Sequence, residues 1–557
     1  MATSKIVLTL LLISFTISLR GQWNTSTSLN TPIVNMPKSQ HNIHAVNDSK
    51  NGVIIVWDDN RTNLSSSTDI YAQRIKSNGT TKWLTGGKAI CTNTSTQKSN
   101  NITSGGIDGS AIITWEDNRA GNYDIYAQKI DSSGIVLWGS NGIVVSNRIS
   151  NQKNPKIISD NMGGAIIVWE DSANFYFDIY AQRISANGLP LWTANGVPIC
   201  LAANQQQNPT IDVDGLGGGI ITWQDKRLNV DYDIYAQQIN ALGAVGWATN
   251  GIVVCNAVNV QSNPKIEPDG SNGAIIGWVD KRNAFDYNVY SQRISSSGIA
   301  LWAANGLLIC GAANNQSALE MKYNGSSGIV YSWKDDRISF NQIYAQQVDL
   351  NGNTQLNADG IQLSSGLKSI NPNNIQDGLG GVIIAWQDST ALGWDIKTQK
   401  LNSAGIVQWL AGGATVTDAQ YDQKSVTQVS DGFGGAIYAW EDKRNANDFE
   451  IYAHHLYANG TEYVGINELS FNKPNVTVFP NPITNQINFT FDSNFETKDC
   501  NVLLFDAIGK PLQTIQTKIT DGKITISNLK YPNGLYFYTL SLNQTNQFLT
   551  GKIIVSN

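Results

Sequence analysis

The sequence predicts an all-β protein whose main part is a ring of eight repeats. Trp-x-Asp occurs eight times, with Asp at the third position each time and a nearly constant interval of about 55 residues. Each repeat holds four short apolar or alternating segments separated by Gly and Asn, with no helical period. Four-stranded units repeated in this way are typical of a β-propeller, so we predict eight blades. The motif tryptophans are Trp57, Trp115, Trp169, Trp223, Trp278, Trp333, Trp386 and Trp440.

Residues 151–200 illustrate one repeat. Residues 154–160 form a short first strand, and the apolar run at 165–169 predicts a second strand covered on both faces. Residues 178–184 (Asp-Ile-Tyr-Ala-Gln-Arg-Ile) predict a third strand, and residues 191–200 a fourth. Gly and Asn at the junctions supply the turns. We therefore expect one four-stranded sheet per repeat, with the motif Trp packed between blades rather than free to bind a ligand.

The two ends of the repeat array are complementary. Residues 23–34 match the fourth-strand segment at 192–200, so the array begins with a fourth strand that has no blade of its own. The last repeat ends after its third strand, at residues 450–456. We expect the N-terminal segment to complete the blade of Trp440, because this closes the ring and removes two exposed strand edges.

The chain ends carry further signals. Lys5, the apolar run at 6–19 and the following Arg20-Gly21-Gln22 predict a secretory signal peptide. This run is too short to cross a bilayer comfortably, and no later run has about 18 apolar residues, so we expect no membrane span. The predicted parts are a signal peptide at 1–21, the propeller at 22–464, a linker at 465–475 and a separate β unit at 476–557.

Composition limits the partners of the protein. The net charge is −6, from 38 basic and 44 acidic residues, and no Lys/Arg cluster stands out along the chain. A nucleic-acid partner is therefore not expected, because neutralising phosphates requires a basic face. Four of the five cysteines occupy one equivalent repeat position, beyond disulfide reach of one another, so we expect free, buried thiols. The cysteines are Cys91, Cys200, Cys255, Cys310 and Cys500.

Six repeats have an Arg two residues after the motif Asp. One interpretation is a ring of guanidinium groups that captures an anionic ligand, with Arg227 and Arg282 as candidate binding residues. The other is an Asp–Arg contact that shapes the loop between the second and third strands, and the joint recurrence of both charges favours it. The six are Arg61, Arg119, Arg227, Arg282, Arg337 and Arg444.

A Gln precedes seven of the motif tryptophans by about 17 residues. In a propeller the innermost strand lines the central channel, so the amides of Gln152, Gln206 and Gln261 are candidates for ligand binding at the channel mouth. Alternatively, they pair with backbone groups of the preceding loop.

Aromatic residues precede the third strand in six repeats. Such rings are able to stack on sugars, but strand alternation places Phe177 on the same face as Ile179, which favours packing. The six are Tyr123, Phe177, Tyr232, Tyr287, Trp394 and Phe449.

Two repeats break the pattern, and such breaks point to function more strongly than repeated positions do. The seventh repeat lacks the loop Arg, has Trp394 at the loop end and has Lys397 where Tyr is usual. The third repeat also lacks the Arg and contains Phe175 and Tyr176 in its loop. We expect these two loops to form a specific binding surface; loss of the repeat pattern without function is the alternative.

Catalytic signals are weak. The four His residues, His41, His44, His454 and His455, lack metal-ligand spacing with Cys or carboxylates. Gly-x-Ser-x-Gly, a phosphate loop and the sialidase-type Asp box do not occur. We predict no catalytic residue, metal or cofactor. A carboxylate pair for glycoside hydrolysis stays open, because the separation of carboxylates is not visible in a sequence.

The last segment contains Val-Phe-Pro-Asn-Pro at 478–482, Val-Leu-Leu-Phe-Asp-Ala-Ile-Gly-Lys at 502–510, Asn-Gly-Leu-Tyr-Phe-Tyr at 533–538 and Gly-Lys-Ile-Ile-Val at 551–555. In order and spacing, these stretches resemble the type A C-terminal sorting domain of cargo proteins of the type IX secretion system of Bacteroidota. The resemblance implies an immunoglobulin-like sandwich, contact with the secretion machinery and its sorting peptidase, and release or attachment at the outer cell surface after passage through the periplasm.

The sequence therefore predicts an exported binding or scaffold protein whose propeller presents a loop face to a carbohydrate or another surface macromolecule. One alternative is a polysaccharide-acting enzyme that uses carboxylates of the propeller loops. Another is a structural, adhesin-like spacer. The repeats resemble those of uncharacterised exported bacterial proteins, and that similarity assigns no activity.

Overall fold

A computed structural model of the protein describes residues 23–462, apart from 62–66, 173–174, 229, 327 and 339, and residues 476–556, apart from 492–497, 507–510 and 543–547. The expected signal peptide at 1–21 and the expected linker at 465–475 lie outside the described residues. The chain divides into two compact units, residues 1–464 and 465–557.

The first unit is an eight-bladed β-propeller, as predicted. Its described residues form eight four-stranded antiparallel sheets and no helix. From the inner to the outer strand, the blades are Gln40–Asn47, Val53–Asp59, Asp69–Ile75 and Lys88–Cys91 (blade 1); Gln97–Ser104, Ala111–Asp117, Asp124–Ile130 and Ile143–Ser146 (blade 2); Gln152–Ser159, Ala165–Asp171, Asp178–Ile184 and Val197–Cys200 (blade 3); Gln206–Val213, Gly219–Asp225, Asp233–Ile239 and Ile252–Cys255 (blade 4); Gln261–Pro268, Ala274–Asp280, Asn288–Ile294 and Leu307–Cys310 (blade 5); Gln316–Tyr323, Gly328–Asp335, Gln342–Asp349 and Ile361–Gln362 (blade 6); Ser369–Gln376, Val382–Thr390, Gly393–Leu401 and Ala414–Thr417 (blade 7); and Gln423–Ser430, Ala436–Asp442, Glu450–Leu456 and Thr31–Val34 (blade 8).

The N-terminal strand Thr31–Val34 closes the ring. It pairs with the third strand of blade 8, placing Thr31 opposite Ala453. Trp23 is buried, and its indole N–H donates to the carbonyl of Ser77 in blade 1 at 2.8 Å. Trp192 makes the same kind of contact with Ala241 in the next blade, at 3.2 Å. The last blade is thus joined to the first by the same indole-to-carbonyl hydrogen bond that joins blade 3 to blade 4.

The eight motif tryptophans have no exposed surface. In six blades the indole N–H donates to the motif Asp at 2.6 to 2.9 Å, as in the pair Trp223 and Asp225. Burying a ring of this size contributes up to about 4–6 kcal/mol. The recurring motif therefore maintains the blades, and in these six its Asp supplies the acceptor that a buried indole N–H needs.

The five cysteines are free and buried, as expected. Burial raises the pKa of Cys91, Cys200, Cys255 and Cys310 to about 12. These thiols therefore stay protonated and unreactive at neutral pH.

The second unit is a β-sandwich of two antiparallel sheets. One sheet has three strands, Val476–Phe479, Gln486–Phe491 and Lys523–Ser527. The other has four, in the order Pro511–Ile519, Lys498–Phe505, Gly534–Leu542 and Phe548–Val555. Phe489 from the first sheet and Val502 and Leu540 from the second lie fully buried in one core. The unit therefore has a hydrophobic core of its own.

Candidate functional site

One face of the propeller carries the loops that the sequence singled out. In blade 4, Gln206 is paired with Asp225, and Asp225 with Asp233, so the start of the inner strand and the connection between the second and third strands lie at the same end of the sheet. Cys255, at the end of the outer strand, is paired with Ile234 at this end as well. We call this end of all eight blades the loop face.

The loop arginines bind the motif Asp beside them. In blade 4, Nε and Nη2 of Arg227 donate to the Asp225 carboxylate at 2.9 and 2.6 Å, and the guanidinium lies 3.7 Å from the centre of the Tyr235 ring. Nη2 also donates to the carbonyl of Asn250 at 2.8 Å. Arg282 makes the equivalent contacts in blade 5. This geometry is that of the loop-shaping alternative, because most of each guanidinium is already occupied.

The repeated Gln side chains are buried. Gln152, Gln206 and Gln261 have no exposed surface, and each amide donates to a carbonyl of the loop before it, at 2.6, 3.2 and 2.9 Å respectively. They do not line the channel mouth, and their contacts are those expected of backbone pairing.

In both pattern-breaking blades, a basic side chain from another position lies beside the motif Asp, in the place of the missing loop Arg. In blade 7, Nζ of Lys397 lies 3.1 Å from Oδ2 of Asp388. In blade 3, Nε of Arg148, from the preceding inter-blade loop, lies 3.3 Å from Oδ2 of Asp171. Lys397 therefore replaces the loop Arg, a role that sequence reasoning missed because the replacement comes from a different strand.

The structure does not bring the two pattern-breaking loops together. Blades 3 and 7 are separated by three blades in either direction around the ring. In blade 3, Phe175 is 99% exposed and Tyr176 is 46% exposed. In blade 7, the half-buried Trp394 pairs with Ser389 in a tight hairpin. The structure thus does not place the two loops in one surface, and of these two loops the blade 3 loop is the one with strongly exposed rings.

Most inner strands begin with a contact from the preceding blade. The third residue of the strand has positive φ, as in Asn154 (54°) and Asn208 (53°), and its amide donates to the middle residue of the preceding Trp-x-Asp motif. Asn208 donates to Glu170 at 2.7 Å, and Asn154 to Glu116 at 2.9 Å. Four further junctions have the same bond: Asn42 with Glu441, Ser99 with Asp58, Asn263 with Gln224, and Ser425 with Gln387.

This series of contacts is interrupted between blades 5 and 6, and again between blades 6 and 7, where the middle motif residue is Lys334. The middle motif residue of blade 5 is Val279, whose side chain has no acceptor, and the third residue of the next inner strand is Ala318. A pocket of about 330 Å³ opens at this part of the channel mouth, with both residues in its lining. We call it the channel-mouth pocket; its polar lining consists mainly of Asn154, Lys156, Asn208, Asn263, Lys265 and Glu320.

The pocket and the channel below it carry most of the charge of the inner strands. Lys265 and Glu320 form an ion pair at 2.5 Å across the pocket. Below them, Lys322 pairs with Glu267 at 2.8 Å. Burial lowers the pKa of Lys156, and the nearby charge of Lys265 lowers it further. The site therefore combines amides with ionic groups that are partly withdrawn from water.

Sequence reasoning missed these residues, although a signal was present. They lie two and four positions after the repeated Gln, and the pattern Asn-Pro-Lys follows it in blades 3 and 5. A bulge shifts the register just after the Gln, as between Gln207 and Thr210, so counting alternate residues from the Gln does not identify the side chains that face the channel.

In the described part of the chain, no group of three or more His, Cys, Asp or Glu side chains is placed to hold a metal ion. A search of the same residues for a helix long and apolar enough to cross a membrane found none.

Comparisons with known proteins identify the second unit. Residues 477–556 match the family described as "Secretion system C-terminal sorting domain". The second unit is thus a type IX secretion sorting domain, and it implies contact with that machinery and export to the cell surface or secretion. The comparison with curated proteins gave no match.

Solved structures resemble the chain only distantly. Polysaccharide lyase Uly1 is 9% identical with a TM-score of 0.42, covering 70% of this chain and 94% of its own. A eukaryotic initiation factor is 8% identical with a TM-score of 0.40, covering 78% and 89%. The GH93 α-L-arabinofuranosidase of Fusarium graminearum in complex with arabinobiose is 12% identical with a TM-score of 0.32, covering 64% and 92%.

Proposed function

We propose that the propeller is a carbohydrate-binding module of an exported protein, with its ligand held in the channel-mouth pocket on the loop face. The observation that carries this proposal is the lining of the pocket by the amides of Asn154, Asn208 and Asn263 together with the Lys265–Glu320 pair. Amides, ammonium groups and carboxylates are the partners that sugar hydroxyls need, because a hydroxyl both donates and accepts hydrogen bonds.

Aromatic rings beside the pocket support this class of ligand. The hydroxyl of Tyr232 donates to Gln207, the neighbour of Asn208, at 2.8 Å. The ring is half-buried. A sugar bound over the pocket would be able to stack on it. In blade 3, the exposed Phe175 and Tyr176 extend the same loop face outward.

The test is a glycan array on the purified exported protein, followed by titration of the best glycan. The variant N154S/N208S/N263S removes three amides, and the repeats already contain Ser at the equivalent positions 99 and 425. Since each hydrogen bond contributes about 0.5–1.5 kcal/mol, we expect the affinity to fall at least about tenfold.

A second variant tests the ion pair without changing the net charge. K265T/E320T places Thr at positions where blades 4 and 8 have Thr210 and Thr427. We expect a comparable loss of affinity. The control is Ile107→Ser on the opposite face, at a side chain that is 96% exposed, which should leave binding unchanged. Equal affinity of all variants would reject the channel-mouth pocket as the binding site. No binding on the array would reject the proposal as a whole and favour a spacer.

A polysaccharide-acting enzyme is the second candidate, and Asp212 is the observation that favours it. Burial, together with the charge of Glu267 on the next inner strand, raises the pKa of Asp212 to about 7. A carboxyl group that is partly protonated at neutral pH is suited to general acid catalysis. Release of product from a bound glycan, abolished by D212N while binding persists, would establish this activity. Binding without product would reject it.

Removal of the C-terminal unit by the sorting peptidase belongs to the same proposal. Its support is the sorting-domain match at residues 477–556. We expect the exported protein to have lost this unit. Mass spectrometry of material recovered outside the cell checks this, and an intact C-terminus would contradict it.

A further inference from the structure

A basic cleft opens on the face opposite the loop face, where blades 1 and 2 meet. The hairpin between the first two strands of blade 1 contributes residues 48–50, and the connection between its last two strands contributes 76–82. Blade 2 contributes Ser132 and Ser133. The cleft has a volume of about 330 Å³, and its charged lining consists of Asp48, Lys50, Arg74, Lys76 and Lys82.

Two of these charges serve the fold. Nε and Nη2 of Arg74 both lie 2.8 Å from Oδ2 of Asp48, and Nη1 donates to the carbonyl of Ser132 at 2.7 Å. Blade 3 repeats this pair with Arg183 and Asp160 at 2.9 Å. The pair is therefore a repeated contact between blades, and its two charges cancel.

The three lysines are different. In the described part of the propeller, no carboxylate forms an ion pair with Lys50, Lys76 or Lys82. The three side chains belong to exposed residues of one cleft. The cleft thus has a local charge of about +3 on a chain whose net charge is −6.

The other blades do not have these lysines. The residues equivalent to Lys50 are mostly uncharged, and those equivalent to Lys82 include three leucines. The equivalents of Lys50 are Met162, Leu216, Ser271, Ser326, Leu379 and Phe433, and the leucines are Leu137, Leu191 and Leu301.

Lys76 also gives up a stabilising contact. In blade 4 its equivalent, Asn240, caps the turn by accepting hydrogen bonds from the amides of Leu242 and Ala244 at 2.9 and 3.0 Å. Asp349 and Asn402 cap the turns of blades 6 and 7 in the same way. A lysine ammonium has no acceptor and cannot replace them. In blade 1 Asn78 provides a cap instead, by accepting a hydrogen bond from the amide of Thr80 at 3.2 Å, so Lys76 itself is not needed for the turn.

We propose that this cleft binds the sulfate or phosphate groups of an anionic polysaccharide. Three ammonium groups in one cleft match an oxyanion of high charge better than a single carboxylate. The volume of about 330 Å³ admits one or two substituted sugar residues. The cleft lies on the opposite face from the channel-mouth pocket, so its occupation does not depend on the carbohydrate site proposed above.

The test compares the binding of dextran sulfate and of phosphorylated mannan to the full chain, with neutral dextran as the reference. The variant K50L/K76N/K82L replaces the three lysines of the cleft with residues that other blades have at the equivalent positions. We expect binding of at least one anionic polymer, weakening with added salt, and a loss of affinity of at least tenfold in the variant. Because K76N restores the turn cap, we expect the melting temperature of that single variant to rise rather than fall.

The matched control removes the same charge from the loop face. K226N/K281N/K443N places Asn where blades 1 and 2 have Asn60 and Asn118. It should bind the anionic polymer like the wild type. Equal losses in the two triple variants, no binding of either polymer, or tighter binding of poly-glutamate than of both polymers would overturn the proposal. None of these results depends on the Asn variants of the channel-mouth pocket.

Discussion

Lys397 forms an ion pair with Asp388 across two adjacent strands, at 3.1 Å between Nζ and Oδ2. In six other blades the motif Asp binds an Arg located two residues later in the chain. Blade 7 thus keeps a cation beside its motif Asp, but this cation comes from the third strand instead of the loop. The buried Asp388 requires a positive partner, and Lys397 is the residue that supplies it.

Lys397→Met should therefore destabilise the propeller. The methionine keeps the apolar stem but leaves a carboxylate that is almost fully buried without its cation, so we expect the free energy of unfolding to fall by about 1–3 kcal/mol. Denaturant titration measures this. Lys397→Arg keeps the charge and should stay close to the wild type. Equal stability of all three proteins would show that the pair is not structural.

Trp223→Ala should lower the free energy of unfolding by about 3–5 kcal/mol, because it leaves a cavity between two blades and removes the indole donor from Asp225. Trp247→Ala in the same blade is the matched control. Its ring is only half-buried, so its loss should cost less. The packing assignment fails if the two titrations give the reverse order.

Deleting residues 23–34 should open the ring. The deletion removes the outer strand of blade 8 and the contact between Trp23 and Ser77, and it exposes the edge of Glu450–Leu456. We expect a sharp fall in the melting temperature and a tendency to associate, which calorimetry and light scattering detect. Asn30→Gly is a milder change that keeps a backbone with φ of 46° but loses the bonds to Arg444 and Val416. An unchanged melting temperature of the deletion variant would refute ring closure.

We predict that the propeller loses stability at acidic pH because of His454. It is fully buried in the third strand of blade 8, and burial, together with the charge of His455, lowers its pKa from 6.5 to about 4. The unfolded chain therefore binds this proton more readily than the folded chain. The contribution of neutral His454 to the free energy of unfolding is fully present above about pH 6.5. It is lost as the pH falls from 6.5 to 4, and the loss is at most about 3 kcal/mol.

The matched control is His454→Gln, because the other seven blades have Gln at this position, as in Gln399. Urea titrations at pH 7 and pH 4.5 should show a smaller loss for the variant than for the wild type. Identical losses would exclude His454 as the cause.

Deleting residues 476–557 should retain the protein in the periplasm, because the sorting domain is the part that the secretion machinery recognises. The propeller has its own cores, so it should remain folded there. Cell fractionation and a melting curve of the retained protein test both expectations. Normal recovery outside the cell would contradict the sorting role.

The repeated features of the protein were accessible from the sequence. The period of Trp-x-Asp, the apolar run before it and the unmatched strands at the two ends predict eight blades and their closure, because each depends on local pattern and on the general cost of exposed strand edges. The sorting unit was accessible for a similar reason, since its motifs are contiguous.

The tertiary structure determined which side chains form the candidate sites. The channel-mouth pocket is lined by residues of successive inner strands about 55 positions apart, and its lining includes Val279, which is unremarkable in the sequence. The basic cleft unites Lys50 and Lys82 from two connections, although no charge cluster is visible along the chain. Lys397 differs from the expectation for the same reason: the partner of Asp388 comes from the adjacent strand. Side chains that act together in a ring are neighbours in space rather than in sequence, so only the folded structure reveals which of them meet.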